Sequence, residues 1–178
     1  MIRLFVGIEL PEPLREQLSL LQGGVPNAAW TAPENMHLTL RFIGEVPEGS
    51  MGEIDDVLAD VSVPPFELSL AGVDTFARGR EPTTIWAGLD PSEPLHLLHG
   101  RIDKGLARAG FPNDERRYTP HVTLGRLHRA PEMRVAEFVA AHNLFRAPPF
   151  GVEQFSLFSS HQASSGTVYT VEADYPLI

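Results

Sequence analysis

Apolar residues recur along the chain with two spacings, a two-residue alternation typical of strands and a three- to four-residue repeat typical of helices. The first spacing predicts strands over residues 2–9, 36–43, 66–76, 83–89, 121–127, 150–160 and 167–173. The second spacing predicts a helix that Pro11 and Pro13 open and Gly23-Gly24 ends, followed by helices over residues 47–61, 92–109 and 131–142. Each half of the chain therefore has the order strand, helix, strand, helix, strand.

This repeated order divides the chain into two pseudo-repeats, about residues 1–80 and 81–178. A stretch rich in Pro, Gly and Arg, residues 77–82, is the best candidate for the loop between them. A length of 178 residues suits one compact domain with a shared core rather than two independent domains. We therefore predict a single bilobal domain over residues 1–178, in which a pseudo-twofold axis relates the two halves.

The charge balance excludes one class of function. Lys and Arg number 14 and Asp and Glu number 23, which gives a net charge of −9. Proteins that coat long nucleic acids spread basic residues over one face, and this composition argues against that class. The acidic balance does not exclude a pocket that binds one or two phosphates. Every Lys or Arg position except Lys104 is Arg, whose planar guanidinium suits phosphate binding.

Cysteine is absent from the sequence, which excludes disulfides, thiolate zinc sites, iron–sulfur clusters and a cysteine nucleophile. Arg, Glu or Pro interrupts every apolar run before it reaches the length of a membrane span. The first residues carry Glu9, Pro11 and Pro13, unlike a secretory signal peptide. We expect a cytoplasmic, soluble, monomeric protein that does not contact membranes.

A short motif occurs twice, as His37-Leu38-Thr39-Leu40 and as His121-Val122-Thr123-Leu124, 84 residues apart. Two such copies arise by chance in roughly one of a thousand sequences of this composition. Both copies fall in the middle strand of their half. Because residues i and i+2 of a strand share a face, each His lies beside its Thr, and the apolar pair enters the core.

Two opposed imidazoles suit general acid–base catalysis near neutral pH, since one can accept a proton while the other donates one. Two hydroxyls between them can donate to a developing oxyanion. A phosphodiester fits this arrangement, because protons move on opposite sides of phosphorus while charge builds on its other oxygens. The alternative for each motif alone is a structural His and a Thr that only favours strand formation.

Strand parity also sorts the neighbours of the motifs. Arg41 continues the parity of His37 and Thr39, so we expect it on their face as a substrate-binding residue. Arg126 has the opposite parity and reaches this face only if Gly125 allows a bulge. Phe42 has core parity. Trp30 and Tyr118 are aromatic residues that we expect to pack rather than to stack on a base.

At these motifs the chain resembles the two-histidine phosphoesterase superfamily, and within it the LigT-like RNA 2′,3′-cyclic phosphodiesterases. The resemblance extends over essentially the whole chain and is carried by RLFVGIELP, W-T-A-P-E-N-M-HLTLRFIGEV, IWAGLD, Y-T-P-HVTLGR and the SLFSS segment. It implies a bilobal α+β fold in which two mainly antiparallel sheets line a central cleft, with helices packed outside.

The resemblance also implies a reaction, the hydrolysis of a 2′,3′-cyclic phosphate to a 2′-phosphate, with no metal or other cofactor. By match of position, His37 is the proton donor to the leaving O3′ and His121 is the acceptor that activates water. Thr39, Thr123 and Arg126 match residues that bind phosphate. The expected partners are RNA 3′ ends with a cyclic phosphate, tRNA fragments or small cyclic nucleotides. The reverse step, 2′–5′ RNA ligation, belongs to the same family.

Two other functions stay open from the residues alone. The same groove suits a non-catalytic module that binds an RNA end or a nucleotide phosphate. A metal hydrolase is the other alternative, in which a carboxylate joins His37 and His121 as the third ligand. His96 and His99 are spaced three residues apart on a helix, but no third ligand accompanies them, and we interpret them as structural.

Overall fold

The computed structural model describes residues 1–113 and 115–178, which form strands, α-helices and short 3₁₀ turns. The strands are β1 (Ile2–Glu9), β2 (Ala28–Trp30), β3 (His37–Val46), β4 (Phe66–Leu68), β5 (Leu70–Arg78), β6 (Glu81–Leu89), β7 (Val122–Leu127), β8 (Phe150–Val152), β9 (Gln154–Ala163) and β10 (Gly166–Pro176). The helices are α1 (Glu12–Ser19), α2 (Met51–Ala59), α3 (Glu93–Arg108) and α4 (Glu132–His142). Short 3₁₀ turns, Pro33–Asn35 and Glu48–Ser50, precede β3 and α2.

Two of the predicted strands are each divided in the structure. The chain leaves the strand conformation at Ser69, between β4 and β5, and at Glu153, between β8 and β9. β4 and β8 pair with each other in a separate two-stranded sheet. The apolar pattern runs on through both breaks because the strands on either side are buried. It therefore predicted one element where there are two.

The main sheet has the strand order β10-β9-β1-β3-β7-β6-β5, with β2 paired to β7, and the pairings described are antiparallel. Its two halves are joined where β3 meets β7. β1 and β3 pair over eight positions. Within the described residues, β3 and β7 pair only at Leu38 and Val122. The two half-sheets therefore form one sheet with a narrow central junction.

The apolar residues of both motifs lie in one buried cluster with the helices. The four side chains concerned are each at most 1% exposed: Leu38, Leu40, Val122 and Leu124. α3 contributes Leu98 and Ile102 to this cluster, and both are fully buried. The side of the sheet that carries His and Thr is consequently the side away from the core, as strand parity predicted.

The α+β class with antiparallel sheets is confirmed. The assignment of residues 1–178 to one domain of two pseudo-repeats stays a prediction. None of the helices in the described ranges is long and apolar enough to cross a membrane.

Candidate active site

The two motifs lie side by side at the junction of the half-sheets. Leu38 pairs with Val122, so the residues that flank this pair, His37 and Thr39 on β3 and His121 and Thr123 beside it, project to the opposite face. All four of these polar residues are half-buried. The structure therefore brings together the two His and two Thr residues that the repeated motif singled out.

A β-bulge follows the Thr in each motif. On β3, Thr39 pairs with Gly7 and Arg41 with Val6, so three residues of β3 face two of β1. On β7, Thr123 pairs with Trp86 and Gly125 with Ile85, which is the same arrangement against β6. The extra residue is the Leu at the fourth position of each motif. A bulge reverses the parity of every residue after it.

Arg41 is the first residue that the bulge redirects, and the expectation that it shares the face of His37 is wrong. Its side chain is 6% exposed and turns toward α3. Arg41 Nε donates to Asp103 Oδ1 at 2.8 Å, and its terminal nitrogens donate to the carbonyls of Phe42 and Phe111. These bonds hold the Arg41 guanidinium within the protein, on the side of the sheet away from His37.

Phe42 is redirected the other way, out of the core that its parity predicted. It is 67% exposed, and its ring centroid lies 6.1 Å from that of Phe5. Phe5 in turn stacks on His37 at 4.7 Å. An aromatic ring is thus presented to solvent on the face of His37. The signal that could have identified it is its position, five residues after the His, which is the position of Arg126 in the second motif.

Arg126 lies on the face of His121 because the bulge in β7 reverses its parity. Strand parity in the sequence predicted Arg126 on this face only if Gly125 allowed such a bulge. Its side chain is exposed, and Gly125 before it is buried. A Cβ on Gly125 would lie 2.8 Å from the indole ring of Trp30, so a larger residue would displace that ring. Trp30 itself packs on Phe138 of α4 at 5.5 Å, as expected of a packing residue.

Each imidazole is fixed through Nδ1 to the carbonyl two residues earlier. His37 Nδ1 lies 2.8 Å from the Asn35 oxygen, and His121 Nδ1 lies 2.7 Å from the Thr119 oxygen. A carbonyl only accepts, so Nδ1 carries the proton and donates in both rings. Nε2 is left as the nitrogen for proton transfer, and in His37 it lies 2.9 Å from Thr39 Oγ1.

Aromatic rings surround both histidines and make the charged imidazole unfavourable. Burial lowers the pKa of His37 to about 4, the hydrogen bond to Asn35 opposes this shift, and the nearby charges of His121 and Arg126 add to it. Burial also lowers the pKa of His121, with Thr119 opposing and Arg126 adding to the shift. The charge of Arg126 thus opposes the charged form of both imidazoles.

The other histidines named from the sequence do not join this group. His96 and His99 contact Tyr118, at ring distances of 5.9 and 3.8 Å. Among the residues that the structure describes, no cluster of three or more His, Asp or Glu side chains is placed to hold a metal.

Comparisons with known proteins agree with this geometry. The family model described as "2'-5' RNA ligase superfamily" matches residues 11–163. A protein of Methanothermobacter thermautotrophicus named RNA 2',3'-cyclic phosphodiesterase is 32% identical over 177 residues, which covers 95% of each chain. A protein of the same name from Archaeoglobus fulgidus is 31% identical over 172 residues, with 94% of this chain and 96% of that protein covered.

Comparisons with solved structures agree with the comparisons of sequence. E. coli LigT in complex with 3'-AMP superposes with a TM-score of 0.81 at 28% identity, over 99% of this chain and 98% of that one. A protein of Thermus thermophilus superposes with a TM-score of 0.82 at 26% identity, over 98% and 97% of the two chains. The chain therefore belongs to the 2'-5' RNA ligase superfamily, as its repeated motif indicated.

Proposed function

We propose that this protein hydrolyses the 2′,3′-cyclic phosphate at an RNA 3′ end to a 2′-phosphate, by general acid–base catalysis without a metal. The observation that carries the proposal is the pair of imidazoles, each with Nδ1 held by a carbonyl and both within the field of Arg126. The relatives named RNA 2',3'-cyclic phosphodiesterase support the reaction.

The reaction requires two proton transfers on opposite sides of phosphorus. His121 Nε2 accepts a proton from water as the water oxygen bonds to phosphorus, and the bond from phosphorus to O3′ breaks. His37 Nε2 donates the proton that O3′ needs to leave as a hydroxyl. The rings then return to their starting states by exchange with solvent, so that no proton is lost or gained overall.

Arg126 and the two Thr hydroxyls have the chemistry to bind the non-bridging phosphate oxygens. An Arg guanidinium offers two parallel N–H groups to a phosphate, and its charge offsets the charge that builds in the transition state. Thr39 and Thr123 flank the junction on the same face as the histidines. Thr39 already contacts His37 Nε2, so its hydroxyl also helps to orient that ring.

Substrate binding supplies a charge that the free site lacks. The lowered pKa values favour the neutral form of both rings in the free protein. The phosphodiester anion offsets the charge of Arg126 and favours a proton on one imidazole. The general acid is therefore formed when the substrate binds, which limits the protonated state to the occupied site.

Phe42 provides a surface for the terminal nucleobase. Base–aromatic stacking needs an exposed ring near the phosphate site, and Phe42 is exposed beside Phe5 and His37. A structural neighbour, E. coli LigT, is described in complex with 3'-AMP, a nucleotide with one base. Because any base can stack, we expect weak base preference and recognition of the last nucleotide rather than of a long RNA.

The decisive experiment is an assay for loss of the cyclic phosphate by phosphorus NMR, with a short oligoribonucleotide that ends in a 2′,3′-cyclic phosphate. Hydrolysis with the 2′-phosphate as product and full activity in EDTA support the proposal. A product with a 2′–5′ linkage would instead identify the reverse reaction. Binding without loss of the cyclic phosphate would identify a binding module, and loss of activity in EDTA would identify a metal hydrolase.

A further inference from the structure

Tyr118 crosses the junction between the half-sheets. Its hydroxyl donates to the Thr39 carbonyl at 2.9 Å, one residue beyond the pair formed by Leu38 and Val122. The ladder between β3 and β7 is confined to that pair within the described residues. The Tyr118 hydroxyl therefore provides a bond from the segment that leads into β7 to β3, next to the point where backbone pairing has ended.

Both ends of this bond lie next to the groups that orient the imidazoles. Thr39, which accepts the bond, also places Oγ1 2.9 Å from His37 Nε2. Thr119, the residue after Tyr118, supplies the carbonyl that fixes His121 Nδ1 at 2.7 Å. A displacement of Tyr118 would therefore move the acceptor of one imidazole relative to the other motif.

The ring of Tyr118 is itself held in place. It stacks face to face on His99, with centroids 3.8 Å apart and planes 4° from parallel, and His96 contacts it edge-on at 5.9 Å. Burial raises the pKa of Tyr118, so that its hydroxyl stays protonated and remains a donor. The hydroxyl thus has a fixed direction as well as a fixed partner.

Arg41 anchors the beginning of the same segment. Its Nη2 donates to the Phe111 carbonyl at 2.6 Å, and its Nε donates to Asp103 of α3 at 2.8 Å. Asp103 also accepts from the Asn113 side chain at 2.8 Å. The residue directly after the first motif therefore contacts the chain that leads into the second motif, on the core side of the sheet.

We propose that Tyr118 and Arg41 are positioning residues that fix His121 relative to His37, Tyr118 through the Thr39 carbonyl and Arg41 through the Phe111 carbonyl. This inference rests on the proposed function, because it assigns the two residues a role in that reaction. The hydrogen bonds of both side chains go to protein groups, so we assign neither a contact with the phosphate. Their effect is on the distance and direction between two imidazoles that have to act on one phosphorus atom.

The test is Tyr118→Phe, which keeps the ring and removes the hydroxyl. We expect kcat to fall about tenfold, since small errors of alignment are costly in proton transfer, with KM little changed. Nitrogen NMR of the histidines in the substrate-free protein should show His121 changing from the Nδ1–H form to a mixture of tautomers. Asp103→Asn, which weakens the anchor of Arg41, should shift both readouts the same way.

The matched control is Tyr175→Phe, because the Tyr175 hydroxyl donates to Asp55 at 2.7 Å and lies outside the candidate active site. It should lower the midpoint of thermal unfolding to a similar degree but leave kcat and the His121 tautomer unchanged. Wild-type kcat and tautomer in Tyr118→Phe would overturn the inference, as would equal losses of kcat in both variants. If the wild-type protein hydrolyses nothing, the proposed function fails, while the NMR measurement still decides whether Tyr118 orients His121.

Discussion

The first and second motifs share a backbone plan but present different side chains. In both, the His is held through Nδ1 by the carbonyl two residues earlier, and a bulge follows the Thr. In both, the residue five positions after the His reaches the functional face. That residue is Phe42 in the first motif and Arg126 in the second.

The residue four positions after the His differs as well, and it faces the core in each motif. In the first motif it is Arg41, which binds Asp103 and the segment that leads to His121. In the second it is Gly125, which leaves room for the Trp30 ring. The residue after the bulge thus anchors a neighbouring segment in the first motif and allows close packing of an aromatic ring in the second.

The aromatic side chains that surround the two imidazoles also differ. His37 stacks on Phe5 with planes 28° apart and meets Tyr169 edge-on at 5.2 Å. His121 has Phe76 edge-on at 4.8 Å and Trp86 at 5.8 Å. Under the proposed function, the first motif therefore offers an aromatic surface to a base and the second a guanidinium to a phosphate, with one proton-transfer group in each.

The largest loss of activity is expected when either imidazole is removed. His37→Ala and His121→Ala should each lower kcat by roughly 10²–10⁴-fold, because each removes one of two proton transfers. Steady-state rates on a cyclic-phosphate oligonucleotide measure this. His142→Ala, at the end of α4, is the matched control and should keep its activity. Near-full turnover in either motif variant would remove that residue from the mechanism.

Arg126 should be the next most sensitive position. Arg126→Gln removes the guanidinium and should cost about 10²–10³-fold in kcat, the scale of a lost transition-state donor. The same variant should raise the pKa of both His37 and His121, since a nearby cation disfavours their charged forms. Arg126→Lys keeps the charge without the fork, so it should lower kcat and leave the pKa values near those of the wild type. Unchanged pKa values in Arg126→Gln, followed by NMR titration, would contradict the shared electrostatic site.

The buried setting of His37 should make stability depend on pH. Its pKa is about 4 when folded, against about 6.5 when unfolded, so the unfolded chain takes up the proton first as pH falls. The free energy of unfolding should therefore fall between pH 6.5 and 4, by up to about 3 kcal/mol. Urea unfolding at several pH values measures this dependence. His37→Gln should flatten it, and an equally steep dependence in that variant would show that other groups cause it.

The smallest effect is expected at Phe42. Phe42→Ala should weaken substrate binding by about 1–3 kcal/mol, as measured by KM, because a base loses its stacking surface. Phe42→Trp should retain binding. Leu20→Ala removes another exposed apolar side chain, 85% exposed at the end of α1, and should have no effect. Equal KM values for Phe42→Ala and the wild type would place the base elsewhere.

The sequence predicted the parts of the site that depend on local periodicity. His37, Thr39, His121 and Thr123 follow from strand parity, and the structure places all four on one face. Parity failed at Arg41 because the bulge lies at Leu40, a residue with no Gly beside it to signal one. In the second motif Gly125 gave that signal, and the position of Arg126 could be anticipated.

Contacts between distant segments could not be predicted in the same way. The bond from Tyr118 to Thr39 joins residues 79 positions apart, and the stack of Tyr118 on His99 depends on where α3 packs. The acceptors of the imidazoles are backbone carbonyls, which every residue has, so no residue type marks Asn35 or Thr119 as the partner. Tautomer and pKa therefore became visible only in the folded chain.

In the proposed reaction both imidazoles act on a single phosphorus atom. A crystal structure with a nucleoside 2′-phosphate bound tests this most directly. We expect His37 Nε2 about 3 Å from O3′ and His121 Nε2 at a similar distance from a phosphate oxygen, with the guanidinium of Arg126 on the same phosphate. A phosphate that contacts only one of the two rings, or that binds on another surface, would contradict the account.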